Sequence, residues 1–316
     1  MKQLLLDFLR VTQEAALAAA PWVGRGRKHE ADAAATAAMR ETLRHLPLDG
    51  IVVIGEGELD EAPMLQIGER VGTGQGPGLD IAVDPLEGTN LVAGGLANAT
   101  AVIAAAPRGS LLHAPDIYME KLAVGRQAAG AIDLGLPIVE NMRRAAAALG
   151  KRIADMTVMI QARERHRESI EEIQRTGARV KLFDDGDVTY TIAPAFEGTG
   201  VDMFYGVGGA PEGVIAAVAL KCLGGEMQAR LLPANDAEYA RCVGMGLADP
   251  RRRLSMRELV ASDDCLFAAT GVTSGLLLEG VKQEQAFAAA THSLLAYGGS
   301  GTLHFIRSVH PRAKAG

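Results

Sequence analysis

Carboxylates crowd two short stretches of this 316-residue chain. IVVIG (51–55) runs into Glu56, Glu58, Asp60 and Glu61, and LDIAVD (79–84) ends on Asp84, with Glu87, Gly88 and Thr89 close behind. Like charges at this spacing repel one another unless a cation sits among them, and all-oxygen donor sets suit hard divalent ions such as magnesium and manganese. Each stretch also has a plainer reading. The first is equally an exposed acidic turn, and the second an Asp-Pro turn opener before a helix capped by a threonine. A third acid, Glu212, follows the glycines of VDMFYGVGGAPEGV (201–214), beside Pro211 at an expected helix N1 position. There Gly208 and Gly209 suit a backbone nest that receives an anion, or Glu212 serves only the helix dipole.

Three further places hold polar groups. Lys28 and Asp32 flank the start of a helix, where capping explains Asp32 as well as ligation does. FDDGDV (183–188) sets Asp184, Asp185 and Asp187 after a strand, as a hairpin turn would. Arg163, Arg165, His166 and Arg167 open a charged segment facing Glu168, Glu171 and Glu172. An ion-paired solvated helix fits that pattern, and arginines at a helix head equally fit a phosphate.

The elements that must carry these groups alternate between helix and strand. Residues 2–20 and 30–46 read as helices, 51–55 and 79–84 as buried strands, and 99–106 and 120–125 as further strands. A helix over 136–149 closes on Gly150. Strand 156–162, the charged helix from 163 and strand 178–183 then make a βαβ-like start. The pattern is layered α and β, with a boundary near 150 dividing residues 1–150 from 151–316.

Composition excludes several function classes. The formal charge of −6 offers no general grip on a nucleic-acid backbone, and Arg251–Arg253 is a short run beside an Asp-Pro turn. Cys222, Cys242 and Cys265 lie in no zinc or disulfide spacing, which fits a reducing cytoplasm. The N-terminal stretch holds Asp7 inside its apolar run and reads as an amphipathic helix rather than a signal peptide. No apolar run approaches the ~20 residues that span a bilayer.

GRGRKHEAD, VVIGEGELDEAPML, DIAVDPLEGTNLVA, APDIYMEKLAVG, DGDV and GVGGAPEGV stand in this order along the chain. Together they resemble the class II fructose-1,6-bisphosphatases, within the metal-dependent, lithium-sensitive phosphatase superfamily, over nearly the whole length. The resemblance implies an α/β fold, a layered α/β/α/β/α sandwich of the sugar-phosphatase type, with a metal-bearing N-terminal half, a sugar-phosphate-binding C-terminal half and the site between them. It implies divalent metal, manganese or magnesium, on Asp32, Glu56, Asp84, Glu87 and Glu212. It matches Thr89 to the residue that orients the attacking water, and Asp60 and Lys28 to positions needed for turnover. Substrate contacts match Glu87, Gly88 and Thr89, then Tyr118, Arg163, Glu164 and Arg165, then Asp185, Gly186, Asp187 and Gly209.

The implied reaction is hydrolysis of the 1-phosphate of fructose-1,6-bisphosphate, a step shared by gluconeogenesis and carbon fixation. A homodimer or homotetramer is implied, with a sugar bisphosphate as partner and neither membrane nor nucleic acid. A seven-carbon substrate, sedoheptulose-1,7-bisphosphate, fits the same motifs; inositol-monophosphatase activity and a silent sugar-phosphate sensor fit them less well. Glu164 departs from the family pattern, standing where relatives carry proline between two basic residues.

Overall fold

The computed structural model describes residues 1–55, 65–283 and 289–311. From the N-terminus come α1 (Leu5–Ala19), α2 (Lys28–Leu43), β1 (Asp49–Ile54), β2 (Arg70–Val71), β3 (Gly78–Glu87), α3 (Thr89–Gly94) and β4 (Thr100–Pro107). Then follow β5 (Tyr118–Val124), α4 (Ile138–Ala148), β6 (Thr157–Gln161), α5 (Arg167–Arg175), β7 (Arg179–Phe183), α6 (Asp187–Ile192), β8 (Met203–Gly209) and α7 (Ala210–Leu223). The chain ends through β9 (Glu226–Leu231), α8 (Asp236–Gly244), α9 (Met256–Leu259), β10 (Leu266–Gly271), β11 (Ala289–Tyr297) and β12 (Thr302–His310). Strands and helices interleave throughout, the mixed α/β class that the sequence implied.

Two compact units emerge, one of residues 1–109 and 264–316, the other of 110–263. The first is built on a sheet of order β12-β11-β10-β4-β3-β1-β2. Its core joins Phe8, Val11 and Ala15 of α1 to Ala31, Ala35 and Met39 of α2, all fully buried, with Ile81, Ala101, Ile103 and Ala268 from the sheet. Alanine at these helix positions lets α1 and α2 pack closely on each other and on the strands. β4 is buried at nearly every position because strands flank it on both sides and both its faces are covered, so its apolar run is continuous and does not alternate.

The second unit holds a sheet of order β7-β6-β8-β5-β9. Its core gathers Leu122, Val124, Met142, Ala145, Val158, Ile173 and Met203. The βαβ start expected after 156 is there: β6 and β7 pair in parallel across α5. The division near 150 that the sequence suggested falls within this unit, just after α4. The physical reason is pairing. β5 joins β8 and β9, while β10 returns to lie antiparallel against β4, so the last third of the chain rejoins the first.

Candidate active site

The acids of the first unit sit where β3 breaks its own ladder. β3 pairs with β4 as far as Asp84 and resumes at Glu87, with a register shift between them. Pro85 has no N–H to give a ladder, and a bulge is where a strand tolerates it. The strand therefore extends beyond the expected 79–84, and its irregular end carries both carboxylates. Asp84 Oδ1 accepts the Leu86 N–H at 3.1 Å, and the Glu87 side chain is buried. Gly88 takes φ +86, the left-handed turn that converts strand into helix, and Thr89 becomes the first residue of α3. Thr89 is half-buried there.

α2 supplies two more expected residues, and it packs against both β3 and α3. Lys28 opens the helix in solvent, and Asp32 lies one turn on. Oδ1 of Asp32 is buried with no hydrogen-bond partner. Burial pushes the Asp32 carboxyl above the usual carboxylate range, with His29 pulling weakly the other way. Glu56 and Asp60 lie outside the described residues.

In the second unit the expected residues Asp187, Gly209 and Glu212 gather in one cluster, and its centre is a residue that sequence reasoning passed over. Lys121, fully buried on β5, pairs through Nζ with Asp187 Oδ2 and donates to the Gly209 carbonyl at 2.9 Å. Asp187 opens α6 and takes the Thr191 hydroxyl on its other oxygen at 2.9 Å. Glu212, in the first turn of α7, lays its carboxylate over Gly209, where a Cβ would overlap Oε2. That Oε2 is buried with no hydrogen-bond partner. Burial pushes the Glu212 carboxyl up, the Lys121 charge opposing and Asp187 adding to the rise. A lysine inside the apolar stretch YMEKLAV is the signal that was available: a cation buried in a strand needs a carboxylate partner.

The arginine turn is stitched to the same place. Arg165 Nε donates to the Val207 carbonyl at 2.9 Å and a terminal nitrogen donates to Gln161 Oε1 at 2.8 Å. Buried His166 accepts the Val207 N–H on Nε2 at 2.8 Å, which leaves Nδ1–H to donate to the Gln161 carbonyl at 2.8 Å. Nε2 can accept only in the neutral ring, and burial, which lowers the pKa of His166, favours that form. Held this way, the Arg165 guanidinium stands 5.0 Å from the centroid of exposed Tyr118, whose register partner on β8 is Gly209.

Other expectations divide. Arg163 is exposed and its guanidinium donates to the Ala162 carbonyl at 3.3 Å. Glu164 turns away from Arg165 and binds Arg167 Nε at 2.8 Å in solvent. Asp185 caps its own loop by accepting the Gly186 N–H at 3.2 Å. No nest forms at Gly208–Gly209: Gly209 is extended, at φ −65° and ψ 144°, because it ends β8. Pro211 falls one position later than N1, since Ala210 opens the helix.

Among the described residues no three His, Cys, Asp or Glu side chains lie close enough to hold a metal ion. The chemistry of the donors within each unit nevertheless suits a cation. Asp32 in the first unit and Glu212 in the second each bury a carboxylate oxygen with no hydrogen-bond partner among the described residues, and a buried unpaired carboxylate is costly without a cation.

The family of bacterial, glpX-encoded fructose-1,6-bisphosphatases matches residues 2–310. Fructose-1,6-bisphosphatase 1 class 2 of Escherichia coli K12 is 48% identical over 322 residues, covering 98% of this chain and 95% of that protein. Its Haemophilus influenzae counterpart is 45% identical, with 98% and 96% covered. Among solved structures, the extragenic suppressor protein suhB of Bartonella henselae is similar at 14% identity and a TM-score of 0.37, covering 64% of this chain and 75% of that one, too slight to argue from. On the strength of the match across nearly its whole length, the chain belongs to the bacterial, glpX-encoded fructose-1,6-bisphosphatase family.

Proposed function

We propose that this phosphoric monoester hydrolase removes the 1-phosphate of fructose-1,6-bisphosphate, with divalent metal held by Asp32, Glu56, Asp84, Glu87 and Glu212. Manganese is the metal we assign, with magnesium able to replace it, and the cytoplasm is the compartment. The observation that carries the metal reading is the pair of buried, unsatisfied carboxylate oxygens on Asp32 and Glu212. When bound, the metal supplies charge neutralisation at the phosphate oxygens and an acidified water.

The chain's own residues supply the rest. In the reaction a water oxygen bonds to the 1-phosphorus, the bond from phosphorus to the C1 oxygen breaks, and that oxygen leaves with a proton. The Thr89 hydroxyl, fixed at the head of α3, holds the water by a hydrogen bond. Asp60 accepts the proton that Thr89 or the water gives up, and Lys28 balances charge nearby. Arg165 and Tyr118 grip the phosphate that is not cleaved, with Arg163 at the rim and the Glu164 backbone between them. Asp185 and Asp187, flanking Gly186, accept from sugar hydroxyls, while Gly209 lets substrate approach the backbone.

The test of this assignment is metal retention set against turnover. In Thr89→Ala the carboxylates are untouched, so bound manganese measured after gel filtration should match that of the parent. Turnover should fall by ~10²–10⁴-fold, the usual weight of positioned proton transfer. Turnover equal to the parent's would remove Thr89 from the reaction.

A further inference from the structure

β6 and β8 run parallel only briefly. Val158 pairs with Met203 and Met159 with Phe204, and there the ladder between them stops. Both strands continue, β6 to Gln161 and β8 to Gly209, and carry backbone polar groups past the last rung. Those groups still need partners. The turn after β6 supplies them from two adjacent side chains. His166 accepts the Val207 N–H and donates to the Gln161 carbonyl. Arg165 donates to the Val207 carbonyl and to Gln161 Oε1. One ring and one guanidinium thus tie the same two residues, and between them they take both backbone groups of Val207.

The two side chains differ in freedom. Arg165 is exposed, and a guanidinium on a long stem in solvent has many rotamers open to it. His166 is 1% exposed and commits both ring nitrogens. The ring lies against Gly206 of β8 as well, where an added Cβ would stand 3.8 Å from Cε1 and Nε2. Gln161 is fixed in turn, since its Nε2 donates to the Asp184 carbonyl at 3.1 Å and so leaves Oε1 to the arginine. The imidazole therefore sets the separation of Gln161 and Val207, the two anchors that Arg165 spans. Removing it would also leave the Val207 N–H without its acceptor.

We propose that His166 is a positioning residue for the phosphate grip. It acts through Arg165, holding the anchors that keep the guanidinium over the Tyr118 ring. The inference rests on the reading of Arg165 as the group that grips the uncleaved phosphate.

The test is steady-state hydrolysis of fructose-1,6-bisphosphate by the full, manganese-loaded chain. His166→Asn keeps a donor for the Gln161 carbonyl and gives up the acceptor for Val207. It should raise KM by ~3–10-fold, one hydrogen bond's worth, and move kcat less. His166→Gln returns an acceptor at the reach of Nε2 and should recover most of that loss. Adding His166→Asn to Arg165→Ala should raise KM no further, because no guanidinium remains to be placed. Circular dichroism and bound manganese after gel filtration show that each variant is folded and loaded. KM unmoved in His166→Asn while Arg165→Ala raises it would overturn this proposal alone. So would equal KM in the Asn and Gln variants, a loss confined to kcat, or effects of the two sites that simply add. KM unmoved in Arg165→Ala would overturn the reading of the grip itself, and this proposal with it.

Discussion

Lys121 sets the terms for its neighbours at the residue scale. It pairs with Asp187 and holds the Gly209 carbonyl, while Glu212 sits over the same glycine. Lys121→Met removes the charge and keeps the stem, leaving buried carboxylates uncompensated. Breaking a buried pair in this way costs about 3–5 kcal/mol, so urea unfolding should shift to markedly lower denaturant. The arginine turn predicts a contrast. Arg165 is held over Tyr118 by two hydrogen bonds, and truncating it to alanine should cost about 1.5–3 kcal/mol of phosphate binding, roughly 10–100-fold in KM. Glu164 spends its carboxylate on Arg167 in solvent, so Glu164→Gln should leave KM nearly unchanged and stability within ~0.5 kcal/mol. Steady-state kinetics on the two variants decide this. An acid standing where relatives carry proline looked like a threat to the phosphate grip from sequence alone. Its i,i+3 partner shows how the chain accommodates it.

Elements explain what was legible and what was not. Runs of β-branched and alanine residues marked β1, β3, β4 and β6, since strands buried on both faces need no alternation. The bulge at Pro85 was not readable, because the pattern stops at Asp84 and only the ladder to β4 shows the strand resuming at Glu87. β7 and the turn after it were placed correctly, but the aspartates open α6 instead of turning a hairpin. α9 offers a test of local chemistry. Ser255 donates its N–H and hydroxyl to Glu258 at 2.8 and 2.7 Å, closing a capping box. These bonds, with Arg252 assisting, hold the Glu258 carboxyl down at about 2, below an ordinary 4.5. A depressed folded-state pKa gives stability that is complete above the unfolded value and lost as pH falls through the folded one. Glu258→Gln should therefore lower the Tm at neutral pH, and the two curves should converge as pH drops from 4.5 toward about 2. The side chain is 38% exposed, so the difference will be small. A gap that widened in acid would contradict the assignment.

Over the whole molecule, the chain order hides the architecture. A boundary near 150 follows from where a βαβ pattern begins, but β10, β11 and β12 close the first sheet from the far end of the sequence, and pairing partners this distant leave no local trace. The places of Asp84, Glu87 and Glu212 were legible, since the first two lie at the end of β3 and the third in the first turn of α7. Lys121 left one signal, a lysine inside an apolar strand, but that signal does not name the carboxylate partner, which comes from a distant segment. Metal-dependent hydrolysis of fructose-1,6-bisphosphate is tested by phosphate release from the purified chain with manganese, with magnesium and with chelator. Release should require the metal and cease with chelator. Release undiminished by chelator, or none from a folded chain with manganese bound, would contradict it.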